Sequence, residues 1–179
     1  MRGRRLWTIA LAAAHAVPAM LLWGLLGAVL AGRVSPLAVA VAAAAYAALY
    51  GAAETLRVPV RPPSLNWQVP SAWVRERSSR AKIAIWGALL GSGLFTRNPY
   101  AGMWLVPLAL ALVGNPRAGA LVGLVAGGAH GIARALGVRS NIRVRRGRAD
   151  IALVVDQLRW KLVDGLALLV AAGILVAAW

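Results

Sequence analysis

The chain contains no cysteine. Disulfides, thiolate metal sites, iron–sulfur ligation and a thiol redox relay are therefore excluded within it. Acidic residues are scarce: five Asp and Glu stand against twenty Lys and Arg, for a formal charge of +15. In a soluble chain such an excess would point to nucleic acid. Here the arginines lie beside long apolar runs, where the positive-inside rule expects them, so no nucleic-acid partner is expected. No Ser/His/Asp nucleophile set, glycine-rich phosphate loop or paired carboxylates can be picked out, and Ser92 within GSG has no base near it in sequence. The expectation is a protein that is not an enzyme, with no catalytic residue, metal or cofactor.

What the chain has is apolar length. Of its 179 residues 60% are hydrophobic, and mean hydropathy is +0.69, too apolar for a soluble domain of this size. The pattern predicts an all-α fold, a polytopic transmembrane helix bundle forming one membrane-embedded domain over 1–179. Basic cytoplasmic segments are expected near 57–80 and 138–150. The start, MRGRR, is charged like a signal peptide, but the apolar run after it exceeds the ~7–15 residues of an h-region. It reads as an uncleaved first span with a cytoplasmic N-terminus, in a multi-pass protein of the cytoplasmic (inner) membrane.

The first span is expected over Leu6–Gly32, kinked at Pro18, and the second over Leu37–Leu56, after Ser35 as cap and Pro36 at the first helical position. Tyr46, Tyr50 and Glu54 share one stripe of the second span. The Pro-broken connection Arg57–Arg80 carries Trp67 and Trp73 among basic residues, which predicts a segment at headgroup level. It contains either a short interfacial helix over Ser71–Ser79 or a plain loop held by anionic lipid. Another span is expected from Ala118 to Leu136, then a basic loop from Arg139 to Asp150. An interfacial amphipathic helix follows and leads into a last span over Gly165–Trp179.

The stretch from Lys82 to Gly114 organises the rest. It is too long for one straight crossing of ~20 residues, and Thr96, Arg97, Asn98 and Pro99 interrupt it. We read it as one broken helix, its second half starting at Asn98 as N-cap with Pro99 behind it and kinked again at Pro107. One crossing here makes five spans and leaves only Arg33 and Arg117 on the far side. A true turn at Thr96–Pro99 makes six and forces the Arg139–Arg148 cluster outside.

Thr96, Arg97 and Asn98 are the candidate ligand-binding residues, since a helix N-terminus beside a cation favours an anion. Against this, Arg97 pairs structurally with Glu54 or Asp164, or snorkels to an interface. His15 and His130, with Glu54 and Asp164, form a candidate proton relay. Gly119, Gly123, Gly127 and Gly131 recur at every fourth position, a stripe for close helix packing.

At WGALLGSGLFTRNPYAGMWLVP the chain resembles the transmembrane domain of the cytochrome-c-biogenesis and thiol–disulfide electron-transporter family. Gly91, Gly93, Phe95, Thr96 and Pro99 stand in for that family's glycine-rich, broken-helix pattern, and the likeness extends through the glycine-striped span. Arg97-Asn98 replaces the reactive cysteine. The resemblance therefore implies architecture, a broken helix packed on a glycine-rich one, and excludes electron transfer through thiols. The expected function is transporter-like, handling a small polar or anionic solute at the broken helix. The alternative is a non-catalytic membrane subunit that packs partner helices through the glycine stripe. The expected partners are the lipid bilayer, with anionic lipids at the basic loops, and either a second copy in a homo-oligomer or a membrane partner protein.

Overall fold

A computed structural model describes residues 2–63, 70–93, 100–144 and 149–178. In order these form α1 (Arg2–Leu30), α2 (Pro36–Thr55), a 3₁₀ turn at Ser71–Trp73, α3 (Ser79–Gly91), a second 3₁₀ turn at Ala101–Trp104, α4 (Leu105–Leu112), α5 (Pro116–Val144) and α6 (Ala149–Ala177). There is no strand among the described residues. Among the described residues four helical segments are long and apolar enough to cross a membrane: Leu6–Leu30, Pro36–Thr55, Pro116–Gly137 and Leu158–Ala177. The chain is an all-α membrane protein.

Two antiparallel pairs make the frame. α1 packs on α5 and α2 packs on α6. The glycine stripe is what lets the first pair close. A Cβ on Gly119 would fall against the carbonyl of Gly27, on Gly123 against that of Trp23, on Gly127 against that of Ala19, and on Gly131 against that of His15. Backbone therefore meets backbone along four turns, the geometry small residues permit between membrane helices. The stripe is covered by α1 of its own chain. In the second pair Ala47, Leu168 and Ala172 share a buried cluster, and Gly51 lies against the backbone of Gly165.

α3 packs on the first pair, and α4 lies between the two pairs. Arg80 borders Leu6 and Trp7 at the start of α1, Gly87 lies against Ala14, and Gly91 against His15. Pro18 leaves the Ala14 carbonyl without its helical donor, and the bare Gly87 lets α3 close on that point. Beyond the interruption α4 continues, and the Gly114 carbonyl lies close to Gly32 at the opposite end of α1. The segment thus runs the length of α1 in two helical pieces, each too short to cross alone. It is a fifth apolar segment in two pieces, beside the four continuous candidate spans.

Several local expectations are corrected. The helical run that begins at Ala101 continues past Pro107 to Leu112. Tyr100 is extended, so the helical turn begins at Ala101; the expected cap at Asn98 and Pro99 lies outside the described residues. The basic stretch from Arg139 is not a loop: α5 continues to Val144, since arginine is a good helix former and no proline intervenes. The amphipathic stretch and the last span are one 29-residue helix, α6, roughly 43 Å long. In place of a helix over Ser71–Ser79 there is a single 3₁₀ turn, after which Ser78 caps α3 by accepting from the Ala81 N–H at 3.3 Å.

Both ends of α2 follow local rules. Ser35 accepts from the Ala38 N–H at 3.5 Å, with Pro36 in the first helical position. At the other end Arg57 takes a left-handed conformation (φ 59°), the Val58 N–H donates to the Ala53 carbonyl at 2.8 Å and the Arg57 N–H to that of Glu54 at 3.3 Å. This is a Schellman ending with arginine where glycine is usual.

Candidate functional site at the interrupted crossing

A broken helix exposes backbone groups that lipid cannot satisfy: carbonyls at the end of its first half and amides at the start of its second. Here four other helices supply the missing partners. On the carbonyl side, α1 contributes Trp23, whose Nε1 donates to the Ser92 carbonyl at 3.1 Å. α5 contributes Arg134, whose Nε donates to the Leu90 carbonyl at 3.3 Å. Ser92 itself donates to the Leu89 carbonyl at 3.4 Å. A cation at a helix C-terminus also suits the macrodipole.

On the amide side the partners are acidic. Glu54 Oε1 of α2 accepts from the Ala101 N–H at 3.2 Å, and Asp164 Oδ2 of α6 accepts from the Gly102 N–H at 2.9 Å. The Tyr46 hydroxyl donates to the Ala101 carbonyl at 3.0 Å, and its ring packs on Tyr50 with centroids 4.5 Å apart. The two carboxyl groups hold adjacent amides of one turn. The amides at Ala101 and Gly102 are thus held by carboxylates of the chain itself. Trp104 Nε1 donates to the Pro63 carbonyl at 2.6 Å, tying the connection after α2 to the same turn.

Some polar capacity remains unused. Glu54 Oε2, Thr55 Oγ1 and the Nε2 atoms of His15 and His130 are buried without a hydrogen-bond partner among the described residues. The His15 ring is held through Nδ1 to the Leu11 carbonyl at 2.9 Å. His130 borders Gly93, which adopts φ +74°; a Cβ there would collide with His130 Nε2 and stand 2.6 Å from Met103 Sδ.

Of the residues singled out from sequence, Glu54 and Asp164 come together, and His15 and His130 both border the last turn of α3 or the residues just after it. Thr96, Arg97 and Asn98 lie outside the described residues. Sequence reasoning missed Trp23 and Arg134. The signal for Arg134 was available, since an arginine inside an apolar span calls for a polar partner. No group of three His, Asp or Glu side chains converges among the described residues. Comparison with family models, curated proteins and solved structures finds no match to the chain.

Proposed function

We propose that the chain is a transport protein of the cytoplasmic membrane that handles a small polar or anionic solute at the interrupted crossing. The observation that supports this is the uneven satisfaction of the acidic side. Glu54 and Asp164 each hold one backbone amide, yet Glu54 Oε2 is buried with no donor among the described residues. The unpaired oxygen is a buried acceptor with room for one donor, and this reading assigns it a proton. In this reading that proton is taken up or released as solute enters, and the histidines beside the interruption complete the relay. Arg97 is the residue assigned to the solute, on sequence alone.

With five crossings, Arg33 and Arg117 are the basic residues at one end of the bundle, and the remaining basic segments gather at the end where α1 begins. The positive-inside bias places that second end, and the N-terminus, in the cytoplasm. The reading keeps the broken-helix architecture implied by the likeness to the cytochrome-c-biogenesis family, without its thiol chemistry. One chain of this size encloses little space, so a second copy or a membrane partner protein belongs to the proposal. For docking through the glycine stripe, the face required is the one α1 occupies.

The test uses liposomes that contain the purified protein and a trapped pH-sensitive dye, challenged in turn with phosphate, succinate, glutamate and glycine. We expect proton movement faster than in protein-free liposomes for at least one solute. Glu54→Gln should abolish it, and Arg97→Ala should remove its dependence on solute. If neither protons nor solute move with any of the four, the transport reading fails.

A further inference from the structure

α1 and α3 run side by side, but their contact is uneven. They close tightly where Gly87 meets Ala14 and Gly91 meets His15. Nearer their starts they stand apart, leaving a groove of about 490 Å³ lined by Leu6, Trp7, Ala10, Ile83 and Ala84, with Ala14 at its inner end and Arg80 the one charged residue of its described lining. That volume lies within the ~300–1,000 Å³ of small-molecule sites. The small side chains of Ala10 and Ala84 are why the groove stays open.

Two features identify an occupant. The groove opens onto the outer surface of the bundle, beside Leu6 and Ile9, which are 67% and 64% exposed where lipid is the solvent. Its outer end carries a guanidinium in the first turn of α3 with no hydrogen bond or ion pair among the described residues, while Trp7, 49% exposed, lies alongside. Trp and Arg at one level mark the membrane interface. The first turns of the two helices also hold Arg2, Arg4, Arg5 and Lys82 in sequence. An apolar slot that ends in a cation with no partner among the described residues, amid basic sequence, complements a lipid with one chain to bury and a negative headgroup.

We propose that this groove binds one anionic phospholipid, an acyl chain lying along Leu6–Ala14 and Ile83–Ala84 and the phosphate on Arg80. The site stands apart from the interrupted crossing and does not depend on the transport reading. It makes the headgroup charge, rather than the bilayer in general, a ligand of the fold.

Native mass spectrometry of the delipidated protein tests this, with phosphatidylglycerol or phosphatidylcholine of matched chains titrated back. The first phosphatidylglycerol should be retained about fivefold better than phosphatidylcholine, the worth of one surface cation. Arg80→Ala should erase that preference, and Ala84→Phe, which fills the groove, should lower retention of both lipids. Arg77→Ala, an exposed charge at the same end but outside the groove, should change neither. Equal retention of the two lipids overturns the proposal. So does an Arg77→Ala loss equal to that of Arg80→Ala, which would indicate diffuse surface charge, or unchanged binding in Ala84→Phe.

Discussion

Glu54 shows how one side chain can be structural and chemical at once. Its Oε1 satisfies the amide of Ala101, while Oε2 is buried without a donor among the described residues. Substitution should separate the two roles. Glu54→Ala leaves a buried amide unpaired and should destabilise the protein by about 1–3 kcal/mol, read as a lower unfolding midpoint in detergent. Glu54→Gln keeps an acceptor for Ala101 and offers a donor to Asp164, so its midpoint should stay near that of the unaltered protein. A drop in the glutamine variant equal to that in alanine would mean that the charge, not the hydrogen bond, holds the turn. Arg57 is a second single-residue case. Its left-handed backbone costs a side chain roughly 1 kcal/mol that glycine escapes, so Arg57→Gly should raise the unfolding midpoint.

Among the elements, the closeness of α1 and α5 makes a sharp demand. Gly123→Val would drive a branched side chain into the carbonyl of Trp23 and should prevent the pair from closing, seen as loss of folded protein on size exclusion. Gly173 in α6 has nothing within 4 Å of the position a Cβ would take, so Gly173→Ala should stabilise by about 0.5–1 kcal/mol. The same contrast marks what could be read from sequence. The apolar runs, the Ser35–Pro36 cap and the glycine repeat are local patterns, and each is visible as a string of neighbours. Asn115 and Pro116 carry the same cap-and-proline signal, passed over in sequence, and the Ala118 N–H duly donates to Asn115 Oδ1 at 3.0 Å. The partners of the interruption could not be found this way. Trp23 meets Ser92 across 69 positions, Asp164 meets Gly102 across 62, and Arg134 meets Leu90 across 44. The break itself was legible as polar residues in an apolar stretch; which helices would repair it depended on the fold.

For the molecule as a whole, the two pairs meet through α4 and the 3₁₀ turn before it. Met103 and Leu110 join Ala19 and Trp23 in one buried cluster, while Ala101 joins Ala47 and Leu168 in the other. Because the chain has no cysteine, its topology can be read with single introduced thiols. Arg33→Cys and Arg117→Cys should react with an impermeant reagent from one face of the membrane, and Arg61→Cys and Arg75→Cys from the other. Labelling of Arg75→Cys and Arg117→Cys from the same face would refute the single interrupted crossing. The lopsided placement of arginine has an energetic corollary in a living, energised membrane. Each cation carried across a potential of 100 mV is worth about 2.3 kcal/mol, so an upside-down copy would have to hold most of its positive charge on the unfavourable side. Any assembly of identical copies should therefore insert with every member pointing the same way, and dual-topology dimers are disfavoured before a single contact between subunits is made.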